Sequence, residues 1–210
     1  MNNKKKLIII GAGGHGRVCA EAAELAGYGD IAFLDDNNVE GLPVIGTLDD
    51  IEKFTGCCFF VAIGSNSVRK KILNKIKAAG GELVTIIHPF SCVSKSAVIG
   101  AGTVVMAGAV VQANAKIGDG VIINTCSSVD HDCTVGSFSH IAVGAHLAGT
   151  VKIGDSVFVG ANCAISNNIS VTSNCVIGAG TAVICDIKNA GTYVGVPARM
   201  VHGGKCLEIN

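Results

Sequence analysis

From Val93 onward an aliphatic residue returns at every sixth position: Val93, Ile99, Val105, Val111, Ile117, Ile123, Val129, Val135, Ile141, Leu147, Ile153, Val159, Ile165, Val171, Ile177 and Val183. Four places after each stands a small or β-branched residue, from Ala97 and Thr103 through Cys133 and Ser139 to Thr181 and Ile187. A period of six paints no stripe on a helix of 3.6 residues per turn, so an amphipathic helix is excluded. A fixed short repeat of this kind builds a β-helix, in which each repeat supplies one short strand and a turn, and stacked coils bury a continuous core. Composition agrees: 28 glycines and only 4% aromatics suit a narrow, repetitive interior. Each inward aliphatic contributes roughly 1.5–3 kcal/mol on burial, so a charge at any of these positions is severely destabilising. The repeat also sorts three of the ten cysteines, since Cys133, Cys163 and Cys175 fall on small inward positions where a thiol is a compact hydrophobe.

The pattern resembles the left-handed parallel β-helix of the hexapeptide acyltransferases, where three repeats make one triangular coil. Sixteen repeats then give about five coils. The fold class expected is mixed: a small Rossmann-like α/β domain over residues 1–88, then the β-helix over 89–210. Before the repeats, LIIIGAGGHG reads as a buried strand and a glycine-rich loop, Arg17 to Ala26 as a helix, and IAFLDD as a second strand. Gly11, Gly13 and Gly16 match G-x-G-x-x-G, and Asp35-Asp36 follow the second strand where a ribose-binding acid stands. CFFVAIG ends a third strand at Gly64, Ser67 to Ala79 forms a helix, and Leu83 to Ile87 a fourth strand. About ninety residues provide one mononucleotide half rather than two, which argues against a nicotinamide dehydrogenase and for a single nucleotide. His15 in the loop projects into the crevice at the strand ends.

Charge and cysteines limit the remaining classes. Sixteen basic residues balance sixteen acidic ones, leaving no basic field for nucleic acid. Lys4-Lys5-Lys6 followed by four aliphatics is too short for a signal peptide. Ser96–Ala115 and Cys133–Val151 lack Asp, Glu, Lys and Arg, but their six-residue period and their Gly, Ser and Thr argue against membrane spans. Adjacent Cys57-Cys58 without a CxxC pair indicate reduced thiols and a cytoplasmic protein.

IIIGAGGHG, FLDD, VAIG, sixteen hexapeptides containing VDHDC and FSHIAVGAH, and a closing YVGVPAR together resemble the NeuD-type sugar acyltransferase family. That family includes sialic acid O-acetyltransferases and acetyl-CoA-dependent N-acetyltransferases of UDP-4-amino-sugars of the bacillosamine type. The resemblance implies acetyl-CoA as co-substrate, no metal, a nucleotide-sugar partner, a homotrimer with acetyl-CoA between neighbouring β-helices, and a role in bacterial surface-glycan or glycoprotein synthesis. It implies His131 as general base with Asp132 as its partner, and Asp130 on the other side. His140, Ala161 and Ala179 are the implied acetyl-CoA contacts; Gly13, Gly14, His15, Asp35, Asp36 and Gly64 are the implied nucleotide-sugar contacts. The amino-sugar enzymes compared carry Glu where Asp132 stands.

The repeat puts His131 two residues past inward Val129, on an outward turn. A carboxylate bound to one ring nitrogen fixes the tautomer and raises basicity, as a base near neutral pH requires. The rival chemistry on this fold is a γ-carbonic-anhydrase-like zinc site built from His131, His140 and His146, although His140 and His146 stand six apart rather than five. A binding protein with a decayed site is the third reading, and a sialic-acid-type O-acetyltransferase is the alternative within the family.

Overall fold

A computed structural model of the chain describes residues 5–201; Lys4 and the expected domain ends at 1 and 210 lie outside the described residues. Buried strand β1 (Leu7–Ile10) leads into α1 (Gly14–Leu25) and β2 (Ile31–Leu34). Then come β3 (Val44–Gly46), a 3-10 segment at Leu48–Phe54, β4 (Cys58–Val61), α2 (Asn66–Ala78) and β5 (Glu82–Leu83). The five strands are parallel in the order β3-β2-β1-β4-β5. Chain order reverses between β1 and β4, which opens a crevice at their carboxyl ends, where α/β sheets take ligands.

Two sequence expectations change here. The sheet has five strands rather than four, because the short β3 adds an edge beside β2. The apolar run expected as one strand over Leu83 to Ile87 divides: Glu82–Leu83 pairs with β4, whereas β6 (Ile86–Ile87) pairs with the strand Val104–Val105 of the coil. Ile87 is one six-residue step before Val93, so the repeat begins earlier than expected.

Seventeen two-residue strands run from β6 to β22 (Ala182–Val183), one every six residues, before β23 (Thr192–Val194) and β24 (Arg199–Met200). From β6 to β19 each pairs in parallel with the strand eighteen residues on, giving the left-handed β-helix about six turns rather than five. Three faces result. We name them by their outward residues: the first carries Ile86, Val104, Ile122, His140 and Phe158; the second Cys92, Val110, Ser128, His146 and Ala164; the third Val98, Lys116, Thr134, Lys152 and Ser170. The inward aliphatics from Val105 to Val183 are all buried, while Val93 and Ile99 at the open end are partly so.

Corners form because every sixth residue from 102 to 180 takes a positive φ, a region open to Gly and tolerated by Asn and Asp. Asp132, with φ 59°, occupies one of these corners. The sheet domain sits on the first face, where Ile86, Val104 and Ile122 share a buried cluster with Cys19, Ala20 and Ala23 of α1. Leu73 of α2 packs against the corner holding Phe138.

Candidate active site

His131 stands on the corner between the second and third faces. Its ring is half exposed, at 54%. Nδ1 donates to Asp132 Oδ2 at 2.8 Å, so the shorter aspartate arm reaches the ring. Asn114, eighteen residues earlier and therefore on the coil below, donates from Nδ2 to Asp132 Oδ1 at 3.1 Å. Asp130 instead accepts from the His131 backbone N–H and acts on the ring through its charge. The hydrogen bond to Asp132, followed by both acidic charges, raises the His131 pKa above its ordinary value. Nε2 is left to accept a proton. It looks onto Gly149, where an added Cβ would meet Nε2 at 2.5 Å. A glycine there leaves room for the His131 ring.

The second cluster lies in the crevice between sheet domain and coil. Gly11, with φ 100°, makes the turn after β1, and an added Cβ on Gly16 would collide with the Gly11 carbonyl, so these two glycines serve the fold. Gly13, Gly14 and Gly64 have no such duty, since nothing lies within 4 Å of a Cβ at any of them. The Asp35 carboxylate ties loops together, accepting from the N–H of Ala12 at 2.7 Å and of Asn37 at 2.8 Å. Asp36 accepts from Leu48 N–H at 3.2 Å and is exposed.

His15, on the first turn of α1, turns its ring toward Cys19 Sγ, 3.5 Å from Nε2. Burial and then Arg69 lower its pKa to about 4. His140 is 8% exposed and makes an edge-on contact with Phe158, ring centroids 5.1 Å apart. Asn124 Oδ1 accepts from Thr125 N–H, so its amide nitrogen, 3.1 Å away, faces His140 Nε2. Nε2 is therefore the acceptor and Nδ1 carries the ring proton. Among the described residues Nδ1 has no partner at hydrogen-bond geometry, although the Gly64 backbone lies near enough to act on the ring. Burial, Arg69 and His15, in that order, drive the His140 pKa down to about 3.

His15, Gly64 and His140 are thus brought together. Ala161 and Ala179 stack on the corner between the first and second faces, with Gly180 N–H donating to the Ala161 carbonyl. His131 is not brought to either group, because the corner it occupies is the edge opposite the first face. His131, His140 and His146 stand on an edge and two different faces, and His146 accepts or donates through Nδ1 to Ser128 Oγ at 2.8 Å. Among the described residues no group of three or more His, Cys, Asp or Glu is arranged to hold a metal ion. A surface cleft of about 560 Å³ beside Lys152, Ser170 and Lys188 lies on the third face, apart from both clusters.

Asn114, Asn124, Gly149 and Arg69 were absent from the sequence reading. Asn114 and Gly149 carried a usable signal, standing eighteen residues from Asp132 and His131. Cys133, Cys163 and Cys175 are buried as expected, and burial raises their pKa values. No helix among the described residues is long and apolar enough to cross a membrane.

A family model for the PglD N-terminal domain matches residues 6–76, and one for the bacterial transferase hexapeptide (six repeats) matches 96–131. UDP-N-acetylbacillosamine N-acetyltransferase of Bacillus subtilis is 34% identical over 112 residues, which is 49% of this chain and 52% of that protein. The aligned segment thus spans about half the length of that curated relative. The acetyltransferase domain of PglB from Neisseria gonorrhoeae, solved in complex with acetyl coenzyme A, superposes with a TM-score of 0.91 at 44% identity, covering 95% of this chain and 100% of that one. PerB from Caulobacter crescentus, solved with CoA and GDP-perosamine, gives a TM-score of 0.90 at 36% identity over 93% of this chain and 97% of that one. Matched in both domains and along nearly its whole length, the chain belongs to the NeuD-type family of sugar acyltransferases and amino-sugar N-acetyltransferases.

Proposed function

We propose that this chain is an acetyl-CoA-dependent N-acetyltransferase acting on the amino group of a nucleotide-activated amino-sugar, with a UDP-4-amino-sugar the favoured acceptor. The observation that carries the reading is the His131–Asp132 pair, with Nδ1 committed to a carboxylate and Nε2, beside Gly149, not engaged by any hydrogen bond among the described residues. The amine attacks the thioester carbonyl of acetyl-CoA while Nε2 takes its proton; the new C–N bond forms, the C–S bond breaks, and CoA leaves as the thiolate. The imidazolium, stabilised by Asp132, then returns the proton to that thiolate. Gly13, Gly14, His15, Asp36 and Gly64 line the nucleotide-sugar crevice in this reading, Asp35 shapes it, and His140, Ala161 and Ala179 flank the acetyl-CoA arm. The relatives solved with acetyl coenzyme A and with CoA and GDP-perosamine support the two substrate classes.

One chain holds the crevice on its first face and the base on the opposite edge, so the reaction requires two copies. The second face lies between that edge and the Ala161–Ala179 corner, and its outward column from Cys92 to Ala182 carries no Asp, Glu, Lys or Arg. Burial of this face in a homotrimer brings the base edge of one copy to the crevice of the next. The nine free cysteines among the described residues favour the cytoplasm as the working compartment.

Incubation with acetyl-CoA and a panel of nucleotide sugars bearing UDP, GDP, dTDP or CMP, with thiol release followed, tests the proposal. Turnover on a nucleotide amino-sugar is expected, and His131→Ala lowers kcat by about 10²–10⁴. Turnover only on sugar hydroxyls, or an undiminished His131→Ala enzyme, contradicts it.

A further inference from the structure

The proposed reaction leaves one buried cation unused. Arg69, in the first turn of α2, is 1% exposed and heads the large side chains fully buried in the protein. All five of its N–H donors are met: Nε donates to the Gly120 carbonyl at 2.7 Å, and Nη1 to the carbonyls of Ile63 and Gly64 at 2.9 and 3.0 Å. Nη2 donates to Asn66 Oδ1 at 2.7 Å and the Phe138 carbonyl at 2.8 Å, with Ser139 O at 3.3 Å. Every acceptor is neutral, and among the described residues no carboxylate lies within 4 Å of the guanidinium.

A charge buried without a partner is expensive, costing several kcal/mol before its hydrogen bonds are counted. Apolar contacts already join the domains, through Ile86, Val104 and Ile122 on the first face and through Leu73 against Phe138. Adhesion alone therefore does not account for a guanidinium. Its acceptors do: Ile63 and Gly64 lie in the loop that follows β4 at the crevice, whereas Gly120 and Phe138–Ser139 are stacked coil corners, and His140 follows directly. A rigid planar fork binding both sides sets their separation, which a flexible apolar contact would not.

We infer that Arg69 is a positioning residue of the acceptor site, bolting the Gly64 end of the crevice to the coil corner before His140 so that a bound nucleotide-sugar meets both at one spacing. The same charge opposes protonation of His15 and His140, keeping both neutral donors and acceptors. This inference rests on the reading that the crevice holds the nucleotide-sugar.

Arg69→Gln and Arg69→Lys test it, with the acceptor that supports wild-type turnover and acetyl-CoA varied separately. Arg69→Gln raises KM for the nucleotide-sugar at least tenfold and KM for acetyl-CoA, whose arm His140 flanks in the proposed reading, by a smaller factor. Arg69→Lys, which keeps the charge but has three donors, rises about threefold. A residue of purely structural importance would reduce the active fraction, lowering kcat with both KM values unchanged; that result in both variants overturns the inference. Should Arg69→Gln fail to fold, Arg69→Lys decides. If the wild type acetylates no nucleotide sugar, the functional reading fails by itself, and amide exchange decides the positioning claim. Peptides spanning 63–64 and 138–140 then exchange at least tenfold faster in the variants while inward coil peptides do not; equal exchange overturns it.

Discussion

The two halves of this molecule fix their residues by different means. In the β-helix a residue's place follows from counting: every sixth side chain points inward, every sixth corner takes a positive φ, and every eighteenth residue stacks. In the sheet domain placement depends on contacts far apart in sequence, such as the Gly16 approach to Gly11 or the reach of Arg69 to Phe138. The β-helix therefore holds His131 and Asp132 on a rigid lattice, and the sheet domain shapes a crevice from loops packed against that lattice. In the proposed reading, proton transfer falls to the counted half and acceptor recognition to the folded-over half.

The largest test of that contrast is a charge on the counting register. Val129 is fully buried, so Val129→Asp should cost more than about 4 kcal/mol and leave no cooperatively folded protein by circular dichroism. Gly13→Ala, whose Cβ meets nothing, should fold normally and instead weaken nucleotide-sugar binding in calorimetry. Next comes Gly149→Ala. Its methyl would crowd His131 Nε2, so kcat falls at least tenfold while the melting temperature shifts by a few degrees at most. An active Gly149→Ala enzyme would remove the open nitrogen from the account.

Protonation separates the halves more finely. His131 must be neutral to accept a proton, and its pKa is raised, so kcat/KM falls as pH drops through a value above 6.5. Asp132→Asn removes the leading cause, moving that acid limb to lower pH while reducing the plateau rate. An unmoved limb in the variant contradicts the pairing. His15 and His140 behave oppositely: their folded pKa values lie near 4 and 3, below the unfolded value of 6.5. Between these limits the unfolded chain binds more protons, so stability is present above about pH 6.5 and is lost as pH falls toward 4. Each histidine contributes a slope of up to about 1.4 kcal/mol per pH unit. Urea midpoints at pH 7, 6 and 5 should show a shallower loss for His140→Gln; parallel curves would deny the buried neutral ring.

Legibility divides along the same line. The sixteen inward aliphatics and the outward place of His131 could be read because the repeat turns sequence into position, whereas Asp132 as the ring's partner was implied by the family resemblance. Asn114 and Gly149 were equally open to counting by eighteen. The division of Leu83 to Ile87 between two sheets was not, because an unbroken apolar run carries no mark of where one strand ends. Gly13 and Gly16 look alike in a motif, yet only the second is demanded by helix–strand packing. Arg69 gave no sign, since a lone arginine among lysines on a helix reads as solvated until its acceptors are known.

The central claim is that the base of one copy serves the crevice of another. Mixing His131→Ala with His15→Ala subunits, each inactive alone, under conditions that exchange protomers tests it. Random assembly leaves about one junction in four with an intact base facing an intact crevice, so activity should return to about a quarter of wild type. Mixtures that stay as inactive as their parents would show that base and crevice act within a single chain.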